Sequence, residues 1–272
     1  MMNHKSWRVL TALLAVFTLA LLMGCGKKNP NTSEGEGSNA TEAQQAAAPI
    51  DKSTVGEVNG SVKYAGAKLA ARKIDMSQDP VCAKKGENTV ETITADGGNL
   101  ANVFVYVKEG LGERSFPAAT NKATIDQEGC RYHPHVLAVM AGQPIEIKND
   151  DNTTHNIHPT PAAETGNREW NESQPPKGAP LEKSFSRPEV MLPVKCNQHP
   201  WMKMYINVAK TPYFAVTDKD GKFDIKDLPP GNYVLAAVHE SLGEKTQNVT
   251  IAPKQTQSVD FSFGGGGAGA AQ

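Results

Sequence analysis

The sequence predicts an all-β chain folded as sandwiches, on three observations. Short runs rich in β-branched and aromatic residues alternate apolar with polar positions. Turn residues separate these runs at regular intervals. No long run of helical spacing occurs outside the N-terminal segment.

The elements follow in chain order. Val55, Val58, Val62 and Tyr64 mark a first strand, with Gly56 and Gly60 as bulge points. The stretch 102–108 (Asn-Val-Phe-Val-Tyr-Val-Lys) is a dense second one. Ile145 and Ile147 alternate within 144–148, and Met204, Ile206 and Val208 alternate further on. Phe223 and Ile225 alternate, and 233–238 is a continuous apolar run of the kind buried strands have. Val249 with Ile251, then Val259, Phe261 and Phe263, complete the series. Asp96-Gly97-Gly98, Asn149-Asp150-Asp151, Asp218-Lys219-Asp220-Gly221 and Pro229-Pro230-Gly231 supply turns between them. Asp218 and Asp220 lack the closing glutamate of a calcium loop, so a turn between strands accounts for them.

The ends carry different information. Lys5 and Arg8 precede the apolar run 10–23, which has the length of an export-signal core and is short for a membrane span. The run closes on Leu22-Met23-Gly24-Cys25, which resembles the cleavage motif of bacterial lipoproteins. That resemblance implies removal of residues 1–24 and acylation of Cys25, which would tether the body to a membrane at the periplasm or cell envelope. Residues 25–53 are poor in large apolar side chains and read as a flexible tether, and 264–272 as a glycine-rich tail. Loss of 1–24 moves the formal charge only from −1 to −3, which implies no nucleic-acid partner.

One stretch carries metal chemistry. Cys196-Asn197-Gln198-His199-Pro200-Trp201-Met202 offers a thiolate, an imidazole and a thioether on one short loop. His155-Asn156-Ile157-His158 supplies the missing imidazole. Two histidines and a cysteine with a weak axial methionine are the ligand set of a blue-copper electron-transfer centre. Cu(I) favours sulfur and Cu(II) favours imidazole nitrogen, so the mixed set serves both states. Residues three apart on a strand face opposite sides, so only one of His155 and His158 faces the metal. Met202 and Met204 both lie within reach of the loop in sequence. A single cysteine in the loop argues against a binuclear centre.

Two family resemblances organise the rest. Gly142-Gln143-Pro144-Ile145-Glu146-Ile147-Lys148-Asn149, His155-Asn156-Ile157-His158 and the run from Cys196 to Val208 resemble a cupredoxin, and the loop spacing is similar to that of amicyanin. This implies copper held by His155, Cys196, His199 and Met202 in a Greek-key β-sandwich, with Met204 as core and Asn156 linking the two ligand segments. Gly56-Glu57-Val58-Asn59-Gly60-Ser61-Val62 with 103–107, and 217–223 with Leu228-Pro229-Pro230-Gly231-Asn232-Tyr233, resemble the opening and close of a carboxypeptidase regulatory-like, transthyretin-like sandwich. The expected organisation is therefore 54–115 and 211–263 as one smaller sandwich, with a cupredoxin at 116–210 inserted between its parts.

Cys82 and Cys130 remain, and an oxidising compartment permits a bridge between them. The alternative for Cys130 is a second metal cluster with His133 and His135. The resemblances imply a membrane-tethered electron carrier with a redox protein partner, its docking patch formed by Pro200 and Trp201 around an exposed edge of His199. Copper storage, delivery or sensing, and a structural envelope module, are the competing classes. No zinc-protease HExxH motif or nucleophile elbow occurs, so the chain is not expected to be an enzyme.

Overall fold

The computed structural model describes residues 49–264, apart from 68–71, 87, 91–92, 94 and 97. The chain divides into the units 1–45 and 46–272, and all described residues belong to the second. The export signal, Cys25, most of the tether and residues 265–272 of the tail therefore lie outside the described residues. Among the described residues no helix is long and apolar enough to cross a membrane.

An outer lobe begins with β1 (Gly56–Tyr64). The chain then makes an excursion in which β2 (Arg72–Lys73) and β3 (Thr89–Val90) pair around a single helical turn, α1 (Pro80–Ala83). It returns through β4 (Ala95–Asp96), β5 (Asn99–Leu100) and β6 (Phe104–Glu109). An inner lobe follows, comprising β7 (Ala123–Glu128), β8 (Arg131–His133), β9 (Val136–Met140), β10 (Ile145–Asn149) and β11 (His155–Pro159). It continues with β12 (Glu172–Gln174), β13 (Leu181–Lys183), β14 (Glu189–Lys195) and β15 (Lys203–Ala209). The chain re-enters the outer lobe as β16 (Phe214–Val216), β17 (Lys222–Leu228), β18 (Gly231–His239), β19 (Gly243–Ile251), β20 (Thr256–Ser258) and β21 (Phe261–Phe263).

Each lobe is two sheets over one core. In the outer lobe β1 pairs with β17, β5, β20 and β21, and this sheet faces a second one in the order β16-β6-β18-β19. Val58, Leu100, Val105, Leu235 and Phe261 fill the space between. The inner lobe stacks β13-β10-β7-β8 on β12-β11-β14-β15-β9 around Ile125, Ile145, Leu192 and Ile206. The fold is thus all-β, and alternation explains it. In β17 the side chains Phe223, Ile225 and Leu228 point inward while Asp224 and Lys226 stay in water.

Two boundaries and one glycine differ from the sequence reading. Ile50 packs against the outer core, and Thr54 donates to the Asp51 carbonyl at 3.1 Å, so an ordered turn begins inside the stretch read as tether. Met76 and Cys82, within the stretch read as outer sandwich, are buried in the inner core instead. A short excursion with few apolar residues gives no sequence sign of which core it joins. Gly56 sits where the β1–β17 register shifts, as a bulge point would. Gly60 lies in regular pairing; a Cβ there would stand 1.7 Å from the Val259 carbonyl oxygen, so the close approach of the chain at Val259 requires glycine.

Candidate metal centre

The loop 196–202 joins β14 to β15 and is closed by its own backbone. Cys196 N–H donates to the Met202 carbonyl at 3.2 Å, and Met202 N–H to the His199 carbonyl at 2.9 Å. The upstream strand β11 pairs antiparallel with β14, with His158 opposite Lys195, which brings its first residue, His155, to the loop. Asn156 ties the two segments together. Its Oδ1 accepts from Asn197 N–H at 2.7 Å and lies 3.3 Å from Cys196 Sγ, a contact in which the sulfur donates only while Cys196 is a thiol.

His155, Cys196 and His199 converge. One donor atom from each lies within 4.8 Å of the others. His155 Nδ1 stands 2.9 Å from His199 Nδ1, and Cys196 Sγ stands 3.7 Å from His199 Nδ1. The three residues are 0%, 3% and 3% exposed, respectively.

The outer ring nitrogens decide what these atoms can do. His155 Nε2 meets the carboxylate of Asp151 at 3.0 Å, and His199 Nε2 meets that of Asp79 at 3.1 Å. A carboxylate accepts, so each Nε2 carries the proton and each Nδ1 of a neutral ring carries a lone pair. In the neutral rings these lone pairs and the sulfur form one buried donor set. At 2.9 Å the two Nδ1 atoms are also close enough to share one proton, so a single cation, proton or metal, satisfies them.

Burial pushes the Cys196 thiol up, but the adjoining His155 and His199 side chains and the backbone of Asn156 and His199 outweigh it and hold the thiol at about 5. Cys196 is therefore poised as a thiolate, the metal-binding form. Burial pushes His155 down, yet its bonds to Asp151 and Cys196 win and raise it. Burial would raise Asp151, but His155, Lys85 and the Cys130 N–H hold its carboxyl well below the usual range. In Asp79 the same competition, won by the Cys82 N–H, Thr153, His199 and Val81 N–H, leaves the carboxyl at about 2. Thiolate plus two imidazole nitrogens fits copper, and the histidine tautomers fixed from behind fit a bound metal of any kind.

The remaining sequence candidates separate clearly. Met202 is 1% exposed and shares the inner core with Cys196. Met204 is fully buried in β15, opposite Val194. His158 points elsewhere; its Nδ1 meets Asn197 Oδ1 at 3.0 Å and its Nε2 meets Glu169 at 2.6 Å. Cys82 and Cys130 are bonded to one another. His133 Nε2 lies against the Glu128 carbonyl, and His135 Nε2 against Glu240 at 3.0 Å. Among the described residues neither joins a group of metal donors. The groups Asp79–Cys82–His199 and Cys130–Asp151–His155 each contain a sulfur already spent in the disulfide, so they surround the first cluster rather than add sites.

One expectation is overturned. The sequence predicts an edge of His199 open to solvent, ringed by Pro200 and Trp201. Instead that edge is covered by Asp79 and by Cys82, whose Sγ lies 3.9 Å from Nε2. Trp201 does flank the ring, with centroids 5.1 Å apart, and its Nε1–H donates to the Cys130 carbonyl.

Sequence reasoning missed both carboxylates. Asp79-Pro80 carries a helix-start signature, and Asp79 does cap α1 through Val81 and Cys82 N–H at 2.7 and 3.0 Å. The predicted bridge at Cys82 would have placed that cap near Cys130. Asp151 sat within a turn signal, and nothing local marked it as the partner of His155.

Comparison with known proteins gives partial matches. A carboxypeptidase regulatory-like domain model matches residues 200–264. No curated protein sequence matches the chain. Similar solved structures include a Cu-containing nitrite reductase from Thermus scotoductus, at 20% identity and a TM-score of 0.30 over 37% of this chain. This chain spans only 25% of that enzyme's length. A purple cupredoxin from Nitrosopumilus maritimus is 22% identical at a TM-score of 0.27, over 32% of this chain and 99% of that one. Amicyanin from Paracoccus versutus is 16% identical at a TM-score of 0.29, over 39% of this chain and 97% of its own.

Proposed function

We propose that this protein is a single-electron carrier whose copper is held by His155, Cys196 and His199, with Met202 as the weak axial ligand, and that it is not an enzyme. The observation that carries the reading is the convergence of a low-pKa thiolate and two back-pinned imidazoles in a buried site. Copper bound there would supply a one-electron couple. The chain's own residues would hold the donors still. Asp151 and Asp79 fix the rings, Asn156 links the strand to the loop, and the two backbone bonds within 196–202 set the loop's shape. A site that moves little when charge changes suits electron transfer, and burial suits a resident metal rather than an exchanging one.

The same proposal places the chain at a bacterial periplasm or envelope, anchored through acylated Cys25 and serving a protein redox partner. The apolar signal run and its terminal cysteine support the location.

Voltammetry of the copper-loaded full chain tests the function. A reversible one-electron couple, absent in Cys196→Ser, is expected. Irreversible or absent current from protein that has taken up copper would overturn it.

A further inference from the structure

The cover over His199 comes from a segment that precedes, in the chain, the strands β7–β15 that carry the ligands. The excursion between β1 and β4 carries α1 across the inner lobe and fastens it there by several bonds. Cys82 is bonded to Cys130, and both sulfurs are fully buried. Asp79 Oδ2 accepts from His199 Nε2 at 3.1 Å and from Thr153 Oγ1 at 2.7 Å, while its Oδ1 caps α1. Lys85 Nζ reaches Asp151, the partner of the other histidine, at 2.8 Å. One turn of chain thus contacts the outer nitrogen of one imidazole directly and the other through a carboxylate.

We propose that the turn Asp79–Lys85 is a lid on the metal site, with Asp79 as its positioning residue. It fixes His199 from behind and closes that side of the site to water, to chelators and to a docking partner. The Cys82–Cys130 bond is the hinge pin that keeps the lid down. A partner therefore exchanges electrons through another face, and metal enters or leaves by this side only when the turn lifts. The lid deepens the copper reading and rests on it for what is guarded, but the closure itself is a property of the metal-free chain.

Accessibility of Cys196 tests it. Among the described residues Cys196 is the single free cysteine, and it is buried. Metal-free full-length protein is treated with N-ethylmaleimide, and modification of the Cys196 peptide is followed by mass spectrometry. Replacing both bridge residues, Cys82→Ser with Cys130→Ser, should speed this reaction on the order of tenfold or more through local opening. Hydrogen exchange of the β10 amides, measured in parallel, separates a lifted lid from a loosened lobe. If those amides loosen in step, the decision passes to Asp79→Ala and Asp79→Asn, which keep the disulfide. Asp79→Ala should speed Cys196 modification, and Asp79→Asn, which retains an acceptor for Nε2–H, should restore slow reaction. Asp79→Asn should also raise the reduction potential of the copper form, because it removes a negative charge beside a ligand; a purely structural cap would leave the potential unmoved.

Unchanged Cys196 reactivity in the disulfide-free protein overturns the lid and leaves the copper proposal standing. Faster reactivity in a chain that binds no copper supports the lid and sinks the electron carrier.

Discussion

The outer lobe closes on side chains such as Val58, Leu100, Leu235 and Phe261, whereas one end of the inner lobe closes on Asp151, His155, Asn156 and His199. Both lobes are antiparallel-rich sandwiches of similar strands, and both bury aliphatic side chains between their sheets. Yet among the described residues the buried polar ones, apart from Ser61, Thr217 and His239, lie in the inner lobe. A buried polar group costs free energy unless it is bonded, and a fully bonded buried network rigidifies the part of the core that holds it. The outer lobe has the interior of a scaffold. The inner lobe gives up part of its apolar filling to hold a polar cluster whose geometry is fixed from every side.

The sharpest way to break this contrast is to remove one member of the cluster. Asp151 is fully buried and bonded to His155, Lys85 and two backbone N–H groups. Asp151→Ala should cost roughly 3–5 kcal/mol in chemical denaturation of the metal-free protein, because it leaves buried partners unpaired. A loss below about 1 kcal/mol would mean the cluster is not held as described.

A matched cut in the other lobe should hurt stability without touching the site. Leu235 is fully buried in the outer core, so Leu235→Ala should cost about 2–5 kcal/mol. The absorption of the copper form should keep its position and shape. A changed spectrum would show that the lobes share more than a boundary. At the smallest scale, Lys122 pairs with Glu182 at 2.6 Å on the inner-lobe surface, where both are over half exposed. Lys122→Ala should change stability by less than about 0.5 kcal/mol. That distinguishes the buried carboxylates from ion pairs that merely decorate a surface.

The sequence showed the two lobes unequally. Strands β6, β15, β17 and β18 were legible because their apolar residues alternate or run together. Strands β8, β12 and β13 were not, because three-residue strands without alternating apolar side chains, such as Arg131–His133, carry too little pattern. The donor cluster was legible because Cys196, His199 and Met202 share one short loop whose spacing is itself the signal. What holds the donors was not. Asp79 meets His199 across 120 positions of chain, and the contact depends on an excursion whose path only the fold reveals. The covered edge of His199 has the same cause: Pro200 and Trp201 are local, while the turn that shuts the ring away comes from the segment between β2 and β3.

Titrating the metal-free full chain with Cu(II) and reading its visible absorption tests the central claim most directly. One copper per chain should produce an intense sulfur-to-copper charge-transfer band, and the same titration of Cys196→Ser should give none. A colourless titration of folded protein, or a band that survives in Cys196→Ser, would contradict it.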